Sequence, residues 1–430
     1  MPRSVTHKQE WPAATLLAAL SAFCVYTCMY AFRKPFTVAQ FAETRFLGIE
    51  YKIWLVISQT VGYTLSKFFG IKFIAELRSK NRTLIILKLI SLSWLALLFF
   101  AIIPAPYNII FLLINGFPLG LIYGLVFSYL EGRKTTEFLG AALASSFIFA
   151  SGFTQSVGKF IMVAWNVDEY WMPWLTGLVF FLPLVIFTLL LDKMPAPGPD
   201  DIQTRTERRA MNKTERLEFI KTFLPGLVAL IVVYIMLTII RDYRTNFASN
   251  IWKETGHGDS IALFTQTEIP SSILVLVIMS LLVYVRKNMK ALLINHYLVV
   301  FGFVLSLAGT LLFIYGHLSA FWWMTLTGMG LYMGYVPFNC MLFERLIASF
   351  KYVSTAGFIV YVADSFGYLG SDVILLVKNF STINISYSAF FIKMILTISV
   401  LGIALTFISS LYFRKKYERH FQVTSNLSYA

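Results

Sequence analysis

Twelve apolar runs, each close to the ~20 residues an α-helix needs to cross a bilayer, divide the 430-residue sequence. They fall near residues 11–36, 53–75, 84–103, 107–130, 138–165, 171–191, 223–241, 261–285, 291–315, 320–342, 353–377 and 385–413. Inside lipid every backbone amide must bond within its own helix or within a closed barrel, and runs of this length far exceed barrel strands. The sequence therefore predicts an all-α membrane protein with twelve transmembrane helices. Composition agrees, since 57% of residues are hydrophobic and only 13% are charged, against about 25% charge in soluble domains.

Between the sixth and seventh runs the pattern breaks. Residues 192–221 bring Pro195, Pro197 and Pro199 together with a dense run of charges, the composition of a linker. The expected organisation is two pseudo-symmetric six-helix halves, 1–191 and 222–413, joined by that linker and followed by a tail, 414–430. Basic residues orient the chain. The amino terminus, the even-numbered loops, the linker and the tail collect most of them, among them Arg82, Arg133, Lys193, Arg216, Arg286, Arg345 and Arg414. The opposite loops hold only Arg45, Lys52, Arg244, Lys253 and Lys378. The positive-inside rule then puts both termini, the linker and the tail in the cytoplasm. The same distribution accounts for the net charge of +14 without nucleic acid, because the basic residues form no single patch or stripe. The first run is too long for the apolar core of a signal peptide and is expected to be a retained helix.

Similar features recur at an offset of roughly 210 residues, as parallel transporter repeats require. Arg33 ends the opening run of the first half, and Arg241 ends that of the second. Gly120 and Gly124 are echoed by Gly330 and Gly334, each pair followed by acid and base (Glu131 with Arg133, Glu344 with Arg345). Gly158 and Gly370 also correspond. These glycines are expected to let helices pack closely.

Charges within or at the edges of spans are the informative set: Arg33, Lys34, Lys67, Lys88, Lys159, Arg241 and Lys393. Two arginines related by the repeat would converge on one central cavity from opposite halves. A guanidinium offers a planar fork that matches phosphate or carboxylate oxygens, so two forks can hold a dianion from both sides. Tyr26 and Tyr30 precede Arg33 at helical spacing, and Tyr63 and Lys67 share a helix face, supplying hydroxyls and a further cation. Lys159 and Asp364 stand on equivalent helices of the two halves. They would pair, line the cavity or, in the case of Asp364, carry a proton.

The stretch Tyr26-x-x-x-Tyr30-x-x-Arg33-Lys34, the Tyr63-Thr-Leu-Ser-Lys67-Phe segment, Arg241 and the "TAGFIVYVADSFGYLGS" run around Asp364 resemble the organophosphate:phosphate antiporters of the major facilitator superfamily. The resemblance implies a rocker-switch transporter in which Arg33 and Arg241 bind phosphate, with Lys34, Tyr26, Tyr30, Tyr63 and Lys67 around it. It implies exchange of a small phosphorylated metabolite for inorganic phosphate, in a bacterial inner membrane and as a monomer. The sequence departs from that family where Gln155 replaces a histidine, where Lys159 follows Gly158, where Glu268 stands displaced in the eighth run and at Asp364. Glu76-Leu-Arg78 stands in place of the superfamily's usual acid-arginine signature. Gln155, Lys159, Glu268 and Asp364 are thus candidates for gating or coupling.

Two other functions fit the same residues. One is a proton-coupled symporter of a sugar, amino sugar or organic acid, with Asp364 or Glu268 titrating. The other is a membrane sensor of a phosphorylated ligand that keeps a transporter fold. An enzyme is not expected, because no nucleophile–base pair or phosphate-cradling loop occurs. Neither a metal nor a cofactor is expected either, since Cys24, Cys28 and Cys340 lack framework spacing and the five histidines are scattered.

Overall fold

Each of the twelve apolar runs becomes a helix, as it must to satisfy its backbone in lipid. In chain order they are α1 (Trp11–Tyr30), α2 (Tyr51–Ala75), α3 (Arg82–Ile102), α4 (Ile109–Leu130), α5 (Thr136–Ala164) and α6 (Met172–Asp192) in the first half. The second half holds α7 (Lys213–Asn246), α8 (Leu263–Leu282), α9 (Asn288–Ile314), α10 (Ala320–Cys340), α11 (Ala356–Phe380) and α12 (Tyr387–Leu427). The structure, a computed structural model, describes residues 11–42, 44–75, 81–130, 133, 135–194, 213–350, 352, 356–380 and 385–427. Among these, nine helices are long and apolar enough to cross a membrane. The chain is a multi-pass membrane protein. α1 is apolar over Ala14–Tyr30 but too short there to count among the nine, and the less apolar helices are α2 and α10, which turn polar side chains such as Lys67, Gln59 and Thr327 into the bundle rather than toward lipid.

The same packing pairs occur in both halves. α1 packs on α5 as α7 packs on α11, α2 on α4 as α8 on α10, and α3 on α6 as α9 on α12. Across the halves, α2 meets α11 and α5 meets α8 and α10. The repeated glycines do pack closely: a Cβ on Gly120 would strike Ser66 of α2, and one on Gly330 would strike the Gly302 backbone of α9.

Several elements differ from expectation. α1 stops at Tyr30 rather than near Phe36, and a 3₁₀ turn, Pro35–Val38, follows. A short hairpin, β1 (Arg45–Phe46) and β2 (Ile49–Glu50), then leads into α2. α7 begins at Lys213, inside the stretch expected as linker, and runs on to Asn246, so Arg241 lies within the helix instead of closing it. Arg244 and Lys52, expected in outer loops, sit in helices and are only 2% and 0% exposed. α12 continues through the expected tail to Leu427. Glu76, Arg78, Glu131 and most of the linker lie outside the described residues.

Candidate functional site

The site begins with the break after Tyr30. Pro35 has no amide hydrogen to donate and its ring would clash with the carbonyl four residues back in a continuing helix, and the chain turns within 31–34, with the Arg33 and Lys34 amides both donating to the Tyr30 carbonyl at 2.9 Å. A helix end in the bundle core leaves carbonyls without partners. Here two side-chain amides supply them. Asn115 Nδ2 donates to the Phe32 carbonyl (3.0 Å), and Gln59 Nε2 donates to the Arg33 carbonyl (3.0 Å) and to Asn115 Oδ1 (2.7 Å). The turn is thereby fixed, and it aims the Arg33 side chain along α2.

Arg33 is 5% exposed, and its guanidinium carbon lies 3.8 Å from the Tyr63 ring centroid. Tyr30 and Tyr368 flank it at 5.7 Å. Among the described residues no carboxylate pairs with Arg33, and its Nε has no hydrogen-bond partner. Tyr26 packs edge-on against Tyr30 and Tyr123, each at 5.5 Å.

From the other half, Arg241 lies over Tyr335 (4.4 Å) and Tyr368 (5.0 Å), and its Nη1 donates to the Tyr335 hydroxyl. Its Nε and Nη2 donate to Asp242 Oδ1 at 3.0 and 2.9 Å. The Tyr63 and Tyr368 rings are 4.7 Å apart and tilted by 59°, so the two arginines are joined through one pair of touching phenols. Arg33 and Arg241 therefore do converge, as the repeat implies. The repeat extends to their surroundings, because Tyr234 packs on Tyr335 (5.0 Å) as Tyr26 packs on Tyr123.

Lys67 is brought to the same cluster but is not free. Its ammonium lies 2.9 Å from Asp364 Oδ2, and Asp364 Oδ1 accepts from Tyr234. This ion pair joins α2 to α11 across the halves. Asp364 thus pairs with Lys67 and not with Lys159, which is half-buried toward the end of α5. Glu268 belongs elsewhere again. Its Oε1 holds Arg244 Nη1, while Arg244 Nη2 donates to the Met324 carbonyl (3.0 Å). Arg244 escaped the sequence analysis because the apolar run ends before it. Its spacing of three residues from Arg241 was the available signal, since residues i and i+3 share a helix face.

Lys34 and Gln155 form a separate layer at the bundle end away from the linker. Lys34 Nζ donates to Thr245 Oγ1 (3.1 Å) and Asn246 Oδ1 (2.6 Å) at the end of α7. Gln155 Nε2 donates to Thr37 Oγ1 and to the Thr245 carbonyl, both at 2.7 Å. Lys52, which the sequence does not mark, repeats the pattern, with Nζ on Ser249 Oγ (2.8 Å) and Asn250 Oδ1 (2.7 Å). Each joins one half to the other. Among the described residues no group of His, Cys, Asp and Glu could hold a metal ion.

Comparison with known proteins bears on the fold. The chain superposes on a D-xylose-proton symporter with a TM-score of 0.58 and 16% identity, covering 93% of this chain and 96% of that one. It superposes on a bacterial homologue of the human drug peptide transporters PepT1 and PepT2 with a TM-score of 0.61 and 12% identity, covering 94% and 99%. For the nucleoside transporter NupG the values are 0.60, 14%, 93% and 99%. At these identities the likeness is one of architecture, and the fold is that of the major facilitator superfamily. No curated protein matches the sequence. Residues 35–416, most of the chain and the site residues from Tyr63 onward but not Tyr26, Tyr30, Arg33 or Lys34, match the family of unknown function DUF5690, and the protein belongs to that family.

Proposed function

We propose that the protein is a secondary transporter of a small anion, of the phosphorylated-metabolite class, which it moves by alternating access and exchanges for inorganic phosphate. The observation that carries this reading is Arg33, a buried guanidinium stacked on Tyr63 with no carboxylate partner among the described residues. A cation at that depth is costly unless something neutralises it, and the ligand is the natural counter-charge. Arg241, one phenol away, offers the second fork. Tyr26, Tyr30 and Tyr63 supply hydroxyls and apolar faces for the rest of the ligand.

In this mechanism the anion bridges the two arginines and favours the state in which the halves close around it. A ligand shifts such an equilibrium only by its differential affinity for the two states. Lys34, Lys52 and Gln155 hold the end away from the linker shut, and the Lys67–Asp364 pair ties α2 to α11 at the centre. Opening that end requires these bonds to break. A bacterial inner membrane is the setting that the sequence resemblance implies.

The test is exchange of labelled inorganic phosphate in phosphate-loaded proteoliposomes. The wild type is expected to exchange. Arg33→Lys loses the planar fork and the stacking on Tyr63, and exchange should fall by at least about tenfold, as the loss of one charge-assisted bond and a cation–π contact implies. Exchange by the wild type no faster than by empty liposomes would remove phosphate as a substrate.

A further inference from the structure

A chain of polar contacts leads out of the anion site and ends in the other half of the molecule. Arg241 Nη1 on α7 donates to the Tyr335 hydroxyl on α10, which lies 2.8 Å from the Tyr234 hydroxyl on α7. Tyr234 donates to Asp364 Oδ1 on α11, and Asp364 Oδ2 is 2.9 Å from Lys67 Nζ on α2. None of these five residues is more than 8% exposed. Counting hydrogens fixes the direction of each bond. A carboxylate only accepts, so Tyr234 spends its one hydrogen on Asp364; Asn339 Oδ1, at 3.3 Å, lies beyond the usual range of a hydroxyl bond. Tyr335 accepts from Arg241 and has its own hydrogen to give to Tyr234. Every bond from Arg241 to Asp364 then points the same way, and bonds aligned in this manner strengthen one another. The other cations nearby stay outside the chain: Arg33 lies on Tyr63, Lys34 is bonded to Thr245 and Asn246, and Arg244 holds Glu268.

Of the five N–H groups of Arg241, that on Nε and one on Nη2 go to Asp242 and one on Nη1 goes to Tyr335, which leaves one on each Nη for a ligand. Asp242 and Tyr335 thus fix the plane of the fork. Asp242 is the next residue on the same helix, so its hold does not depend on how the halves sit. The hold of Tyr335 does, because its chain ends on Lys67, the one member from the first half. Lys67 stands one turn beyond Tyr63 on α2, toward the linker end, and its ammonium is 5.2 Å from the ring on which Arg33 lies. Opening the linker end draws α2 from α11 and parts Lys67 from Asp364.

We propose that Tyr335 and Tyr234 are positioning residues that make the grip of Arg241 on the anion depend on the Lys67–Asp364 pair, so that the anion is held while α2 and α11 are joined and released when they part. This rests on the anion reading of the arginine pair. While the pair is made, Lys67 neutralises Asp364, and Arg241 keeps its two free N–H groups for the anion. When the pair parts, Asp364 is an unpaired carboxylate in the interior, and the chain draws Arg241 toward it in competition with the anion. The anion therefore favours the joined state and the joined state favours the anion, each by the same factor.

The experiment uses the full-length protein in lipid nanodiscs with Cys24→Ser and Cys28→Ser, which leaves Cys340 near the linker end, where its Sγ approaches the Gly140 carbonyl of the other half (3.5 Å). The rate at which a water-soluble maleimide alkylates Cys340 reports the opening of that end, and calorimetry under the same conditions reports binding of inorganic phosphate. In this background saturating phosphate should slow alkylation at least about fivefold, the lower end of typical coupling between two sites. Tyr234→Phe keeps the ring stacked on Tyr335 and removes one hydroxyl that does not contact Arg241. It should still bind phosphate, more weakly, and phosphate should no longer slow alkylation. Tyr335→Phe and the double variant should behave alike, since losing any link breaks the chain, whereas a role confined to packing would leave the effect of phosphate unchanged. Slowing in Tyr234→Phe equal to that in the background would overturn the relay and leave the anion reading intact. Should Tyr234→Phe not fold, Tyr335→Phe is read in the same way, and phosphate that binds the background without slowing alkylation overturns the relay by itself. No phosphate binding by the background would remove the anion reading and the relay with it.

Discussion

At the scale of single residues, the interior sorts its charges by partner. Lys67 has Asp364, Arg241 has Asp242, and Arg244 has Glu268, whereas among the described residues Arg33, Lys34 and Lys52 have only rings, hydroxyls and amides. The distinction predicts opposite responses to substitution. Replacing Arg33 removes an uncompensated cation, and a thermal scan should find Arg33→Gln no less stable than wild type even though binding is lost. Arg244→Met instead strands Glu268, whose Oε2 already lacks a partner, and breaking a buried pair in this way costs ~3–5 kcal/mol. The unfolding midpoint of Arg244→Met in detergent should fall accordingly, and Arg244→Met with Glu268→Gln should recover most of the loss. A double variant as unstable as the single one would show that the guanidinium is held by its packing against Gly328 and the Met324 carbonyl instead. Arg33, Arg241, Tyr63 and Lys67 were legible in the sequence because charge and phenol stand out against apolar runs. The partners were not, since Lys67 and Asp364 lie on different helices in different halves and a single sequence carries no sign of which acid faces which base.

At the scale of an element, α1 and the turn that ends it decide where Arg33 points. An apolar run through Phe36 hides the break, because hydropathy does not distinguish a helix from a turn buried among helices. Pro35 was the local signal, and Asn115 in the middle of an apolar span was the distant one. The Asn115 side chain donates to Phe32 and to Ser93 and accepts from Gln59, so every polar atom of its amide is used. Asn115→Leu leaves the Phe32 carbonyl unbonded in the core, at about 1–3 kcal/mol. The same change releases the turn, so phosphate affinity should fall together with the unfolding midpoint. Loss of stability with affinity unchanged would mean that Gln59 alone holds Arg33 in place.

At the scale of the whole molecule, the two ends of the bundle are closed by different means. At the linker end Arg345 reaches Glu137 across the halves (3.0 Å), and Cys340 Sγ approaches the Gly140 carbonyl (3.5 Å). At the far end the contacts form a continuous layer: Lys34 on Thr245 and Asn246, Lys52 on Ser249 and Asn250, Gln155 on Thr37 and Thr245, Ser249 on the Thr37 carbonyl, and Tyr387 on Glu50. Pseudo-symmetry was legible from the recurrence of Arg33 and Arg241 and of the glycines. The closed layer was not, because it is made of common polar residues 90 to 337 positions apart that bear no motif. The alternating access proposed above requires this layer to part in each cycle. Asn250 Nδ2 meets Gln40 Oε1 across it at 3.1 Å, which makes the two positions a handle on its opening. With Cys24, Cys28 and Cys340 replaced by serine, the pair Gln40→Cys and Asn250→Cys should cross-link on mild oxidation. Phosphate exchange should then stop and return when the bond is reduced, with each single cysteine variant unaffected by oxidant. If the cross-linked protein exchanges phosphate as fast as the reduced one, this layer stays closed throughout the cycle, and the path of the anion runs through the linker end alone.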